Sequence, residues 1–134
     1  MTERSEAAQT VDAFHRGRFF LVQPAAGGHR AGMDAMMLAA SVPSAFTGRL
    51  ADFGAGAGAA GLAVLSRCAG AEAVLVERSP EMMAFAEATL AHPGNAALHG
   101  RASILEADVT LTGRARVAAG LADNAFDFAI MNPP

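Results

Sequence analysis

Four residues of this chain carry side chains suited to holding a small polar ligand, and each stands at the end of an apolar, strand-like run: Asp52, Glu77, Asp108 and Asn132. Asn132 is followed by Pro133 and Pro134. Neither proline has an N–H to give a sheet, so the pair turns the chain at the strand's C-terminal end. The Asn132 amide and the carbonyls flanking Pro133 are then placed to face a ligand. An amide oxygen and a fixed carbonyl suit a planar amino group, which has two hydrogens to donate and no charge to neutralise. Upstream, Asp52-Phe53 leads into Gly54-Ala55-Gly56-Ala57-Gly58-Ala59-Ala60-Gly61 and then the helix-like run Leu62 to Cys68. Glycines permit positive φ and close approach of a ligand, and a helix N-terminus offers unsatisfied N–H groups. Glu77 follows at about 20 residues, the spacing at which a carboxylate takes the two hydroxyls of a ribose. Any one of the four is an ordinary strand-end turn former. Together, on successive strands, they point to one pocket for a nucleoside.

Gly56 to Gly61 also satisfies the G-x-G-x-x-G pattern of dinucleotide folds. Asp52 argues against that reading, because an acid at the strand tip repels a pyrophosphate. A ligand carrying positive charge is favoured there instead. The string Asp52-x-Gly54-x-Gly56-x-Gly58 resembles the first motif of class I S-adenosylmethionine-dependent methyltransferases, with Glu77 matching their ribose-binding acid. Asn132-Pro133-Pro134 resembles the signature of those methyltransferases that modify exocyclic or amide nitrogens, in which an aromatic residue follows. The segment Phe19 to Pro24, with Gly28 to Ala40, is similar to the N-terminal region of bacterial tRNA-valine adenine-N6 methyltransferases.

The resemblance runs from about Arg18 to Pro134. It implies S-adenosylmethionine as cofactor, bound by Asp52, Gly54, Gly56, Gly58, Glu77, Asp108 and Val109. Asp108 would accept a hydrogen bond from the cofactor's adenine amino group, with Val109 packing near the ring. Asn132, Pro133 and Pro134 would be catalytic, and the acceptor would be an exocyclic amino nitrogen, adenine N6 in tRNA. The implied setting is tRNA processing in the cytoplasm. The same motifs fit protein glutamine N-methylation, as in release-factor methyltransferases, and a truncated, inactive cofactor-binding remnant is the non-enzyme alternative. An NAD-dependent enzyme is a more distant reading. The aromatic residue and the remaining strands of the family's sheet are missing, so the chain reads as an N-terminal part, inactive alone.

The elements that must position these residues alternate between strand and helix. Residues 1–17 read as a tail or short helix, and 18–134 as the N-terminal part of a single domain. Arg18 to Pro24 is extended, Ala25 to Gly28 a turn, and Asp34 caps a helix running to about Ser41. A first strand ends at Phe53, a second at Glu77, and Ser79-Pro80-Glu81 opens a helix that stops near His92-Pro93-Gly94. A third strand, Ala102 to Ala107, delivers Asp108. A weak helix around Arg116 to Leu121 leads to the fourth strand, Phe126 to Met131. The expected class is α/β, a Rossmann-like parallel sheet of order 3-2-1-4 with right-handed crossovers. Met33, Met36, Met37, Met82 and Met83 have core-like spacing, and His92 and His99 fall in a surface loop. His29 lies in the family-like segment near cofactor or substrate.

Composition fits one domain with a core: 134 residues, 52% hydrophobic and 17% charged. The polar, mixed-sign start is unlike a signal peptide, and no apolar run nears the roughly 20 residues of a bilayer span. The lone Cys68 excludes an internal disulfide and reads as core, and no histidine pair has metal-ligand spacing. A net charge of −3 is unlike a dedicated nucleic-acid binder. All ten basic residues are arginines, however, and Arg4, Arg16, Arg18 and Arg30 precede the glycine loop with His15 and His29. A local basic edge of this kind can hold an RNA backbone. Oligomeric state is left open.

Overall fold

The structure, a computed structural model, describes residues 8–25 and 31–133. Pro134, Arg4, and the Gly28-His29-Arg30 segment, each expected near ligand or RNA, lie outside the described residues. Strands β3 (Gly48–Phe53), β4 (Ala71–Glu77), β5 (Ala102–Glu106) and β6 (Phe128–Met131) make a parallel sheet of order β5-β4-β3-β6. This is the expected 3-2-1-4 order. Leu50, Ala51, Leu75 and Val76 are fully buried. Helices and loops cover both faces of such a sheet, so its central strands read as continuous apolar runs. Strand order changes direction at β3, which opens a crevice beyond the strands' carboxyl ends.

Helix α1 (Met33–Ala40) starts one residue before Asp34, which therefore does not cap it. Gly32 holds the N-cap position without a side-chain bond, and Asp34 sits in the first turn. Its charge still complements the helix dipole there. Helix α2 (Ala59–Arg67) follows the glycine loop and is buried over Ala59 to Leu65. Helix α3 (Pro80–Ala91) opens as expected, the Ser79 hydroxyl accepting the Met82 N–H at 3.3 Å. A short helix α4 (Ala96–His99) precedes β5. Helix α5 (Gly113–Ala118) lies earlier than the expected 116–121, because Gly120 turns left-handed at φ 97° and ends it.

The N-terminal segment departs from expectation. Gln9–Phe14 is a strand, β1, antiparallel to β2 (Phe19–Pro24) in a register that sets Phe14 opposite Phe19. An isolated two-stranded ribbon is marginal in water. This one is tied to α3 and the segment after it. The Phe20 N–H donates to Asn95 Oδ1 at 2.8 Å, while Asn95 Nδ2 donates to the carbonyls of Phe20 and Thr89, each at 2.7 Å. The Val22 N–H donates to the Thr89 hydroxyl at 3.0 Å. Phe19 and Leu21 join the main core.

Met36 and Met82 pack against that core, but Met33 and Met37 are 74% and 68% exposed, contrary to their expected packing. Residues four apart share a helix face. Ala35 and Ala39 occupy the buried face of α1, so Met33 and Met37 share the outer one. His92, expected at the surface, is half-buried and stacks on Phe20 at 4.9 Å between ring centroids.

Gly58 connects the loop to α2 at φ 101°, and a Cβ there would stand 2.8 Å from Cδ1 of the fully buried Leu75. Gly58→Ala combines left-handed strain with overpacking. A stability loss of about 1–3 kcal/mol is expected in urea denaturation. A variant as stable as the parent would show that the loop is not seated against Leu75.

Candidate functional site

A cavity of about 470 Å³ lies over the carboxyl ends of the sheet, within the range of small-molecule sites. It brings together Gly54, Gly56, Glu77, Asp108, Val109 and Asn132, with Pro133 at its rim. Phe53 and Val76 supply apolar lining. Asp52 and Gly58, expected beside them, do not line this cavity.

The glycines of the loop divide into two uses. Gly54 and Gly56 are left-handed, at φ 70° and 57°. A Cβ on Gly54 would meet nothing within 4 Å, and one on Gly56 would touch only the end of Met82 at 3.5 Å. Side chains there would project into the cavity. Gly58 and Gly61 instead serve packing: a Cβ on Gly61 would lie 2.6 Å from Leu75 Cδ2 and 3.2 Å from Asp52 Oδ2. The loop hangs on β4, since the N–H groups of Gly54 and Ala55 both donate to the Val76 carbonyl, at 2.9 and 3.0 Å.

Asp52 sits behind the loop and is 2% exposed. Its Oδ2 accepts the Gly61 N–H in the first turn of α2 at 3.0 Å. Burial pushes its pKa up to about 7, against the lowering effect of the Gly61 bond, and the charge of Glu77 adds to the rise. The expectation that it faces the main cavity is thus corrected. Side chains alternate along a strand, and it is Phe53, the next residue, that turns toward the cavity. Asp52 borders a separate recess of about 30 Å³, shared with Gln23, Ala35, Gly54, Gly56 and Asn132.

Asp108, by contrast, lines the cavity. Its Oδ1 accepts the N–H and the hydroxyl of Thr110 at 2.8 and 2.7 Å, while Oδ2 lies 3.8 Å from the Arg78 guanidinium. The Thr110 hydroxyl, then its N–H, then the Arg78 charge hold the carboxyl below its ordinary pKa. Sequence reasoning passed over Thr110 and Arg78. The signal for Thr110 was available, since an acid two residues before a Thr is a common side-chain turn. Asn132, at the end of β6, donates through Nδ2 to Asp34 Oδ2 at 3.0 Å. That bond brings α1 into the site and lowers the pKa of Asp34.

Among the described residues no group of three or more His, Cys, Asp or Glu could hold a metal ion, and no helix is long and apolar enough to cross a membrane.

The family model of the methyltransferase small domain matches residues 29–134. The chain is 56% identical to a crystal structure of a predicted O-methyltransferase from Agrobacterium tumefaciens, with a TM-score of 0.72. That match covers 76% of this chain and 49% of the other. TYW2 of P. horikoshii in complex with MeSAdo is 14% identical at TM-score 0.62, covering 87% of this chain and 48% of that one. The glycopeptide N-methyltransferase MtfA complexed with sinefungin is 19% identical at TM-score 0.56, covering 80% and 39%. These two share the fold. The chain spans about half the length of the first of these structures. No protein of curated function matches it.

Asp52 makes stability depend on pH. Its folded pKa of about 7 exceeds the ordinary 3.8, so between about pH 4 and 7 the folded state keeps a proton that the unfolded chain has released. Stability from this group is therefore complete below that window, falls as pH rises through it, and levels off above about pH 7. Asp52→Asn keeps an acceptor for the Gly61 N–H and removes the titration. Urea denaturation across this range should show the variant gaining on the parent as pH rises, by a few kcal/mol at most. Parallel curves would overturn this account of Asp52.

Proposed function

The chain belongs to the methyltransferase small domain family, and from that premise we propose that its cavity takes S-adenosylmethionine and serves methyl transfer to an exocyclic amino nitrogen. The acceptor we favour is adenine N6 in tRNA, acted on in the cytoplasm. The observation that carries this reading is the meeting of Gly54, Gly56, Glu77, Asp108 and Asn132 around one cavity.

The residues suit that cofactor. Glu77 presents a carboxylate to the ribose hydroxyls, and Asp108 Oδ2 is the oxygen left to accept an adenine amino hydrogen once Oδ1 has bonded Thr110. Val109, Phe53 and Val76 flank the ring. The open space beside Gly54, where a Cβ would project, admits the ligand against the backbone. When bound, S-adenosylmethionine supplies a methyl group on a positively charged sulfur. Asn132 Oδ1 and the Pro133 carbonyl would accept the two hydrogens of the acceptor amine and orient its lone pair for the transfer. The N–C bond forms as the C–S bond breaks, with the neutral thioether leaving and one amino proton passing to solvent. Orientation of this kind supplies much of a transfer rate.

The choice of nitrogen over oxygen follows from the same pair of acceptors. A hydroxyl has one hydrogen and needs a base, whereas an amino group has two and needs both held. For the polymer, Arg16 and Arg18 are exposed beside the hairpin turn. By contrast Arg49, Arg67, Arg101 and Arg116 donate to backbone carbonyls. Arg114 is exposed too, as is Arg78 at the cavity, so an RNA backbone would be met along the hairpin and beside the cavity.

In the intact protein, labelled S-adenosylmethionine with unmodified tRNA should yield N6-methyladenosine, and phenolic acceptors should yield nothing. Transfer to a phenol, or to a glutamine peptide in place of tRNA, would overturn the assignment. Asn132→Ala should cut kcat by about a hundredfold while cofactor Kd moves less than about twofold. Unchanged turnover would remove Asn132 from the mechanism.

A further inference from the structure

We infer that Asp34 is a positioning residue whose carboxylate decides which end of the Asn132 amide faces the acceptor. The inference rests on the proposed role of Asn132 and deepens it. The two ends of an Asn amide are nearly the same size and opposite in sense: one accepts hydrogen bonds, the other donates two. Turning it over costs little in shape and reverses its chemistry. An Asn132 presented NH₂ first would set donors against an amino group that itself donates.

Asp34 breaks this symmetry. An ionised carboxylate accepts only, so the Asn132 end that meets Asp34 Oδ2, at 3.0 Å, is the NH₂ end. Oδ1 is then left for the acceptor's N–H. The carboxylate remains ionised, because the Asn132 bond, followed by the backbone N–H of Ala35 at the start of α1, holds its pKa below the ordinary range. Asp34 is anchored in the first turn of α1, which packs on α2 and touches β6, and Asn132 directly follows β6, so the two partners come from separate parts of the fold. Asn132 and Asp34 lie 98 residues apart in sequence, and neither local turn requires the other.

The test is a series of variants in the intact protein, ordered by hydrogen-bonding sense. Asp34→Glu still only accepts, and should keep most of the turnover. Asp34→Asn accepts and donates equally well, and should lose part of it. Asp34→Lys only donates and would draw Oδ1 to itself, so kcat should fall about tenfold to a hundredfold. Cofactor Kd and Tm should stay near parental values in the first two variants. A purely structural helix-start role would move Tm and leave kcat alone. Independently of activity, the Asn132 side-chain NH₂ resonances should shift in Asp34→Asn protein without substrate. Equal turnover across the series, or unmoved resonances, overturns the inference while Asn132→Ala still tests the function. Full activity of Asn132→Ala would overturn both.

Discussion

Room for backbone alone, between Leu75 on β4 and the first turn of α2, is the constraint on which the site depends. Gly58 and Gly61 pass so close to the Leu75 side chain that any side chain of their own would collide with it. Because they pass there, α2 starts directly above β3, its Gly61 N–H reaches the Asp52 carboxylate, and Gly54 and Gly56 are held at the mouth of the cavity. The same closeness isolates Asp52 from water and raises its pKa. An open cavity on one side of the loop and a buried acid on the other are thus two results of the same close packing.

The acids around the sheet consequently differ in character. Asp52 is buried and held near neutrality; Asp108 is bonded to Thr110 and firmly ionised. Asp34 is ionised as well, but its partner is an amide. Environment rather than residue type separates them, since all three begin from the same ordinary carboxyl. A cationic ligand near the loop would lower the pKa of Asp52, which gives the recess behind the glycines an electrostatic part without direct contact.

Much of this was legible in sequence. The parallel sheet followed from alternation of apolar runs and helices, its strand order from the family resemblance, and the start of α3 from Ser79-Pro80. The convergence of Glu77, Asp108 and Asn132 followed from their places at strand ends. What escaped was information that single positions do not carry. Asp52 was placed on the right tip but the wrong side, because a strand end does not reveal which of two neighbouring residues faces the crevice. Locally β1 suggests a tail or short helix, since its support comes through β2, which Asn95 and Thr89 hold from far along the chain. Met33 and Met37 have core spacing, yet α1 is short and buries its alanine face instead. The partnership of Asp34 with Asn132 is long-range and has no local signature.

The pairing of β3 with β6 has a bearing on the order of events during synthesis. β1 with β2, β3 with β4 and β4 with β5 join segments close in sequence, whereas Arg49 and Asp127, which exchange bonds at the start of the β3–β6 pair, are 78 residues apart. Closing a loop of that length is entropically slow, and a nascent chain emerges from its N-terminal side. The cavity-lining ends of β3, β4 and β5 are therefore translated before the strand that leads to Asn132. Most of the cavity's lining thus precedes Asn132 on the ribosome, and the pairing of β6 with β3 is the step that brings Asn132 to the rest of that lining.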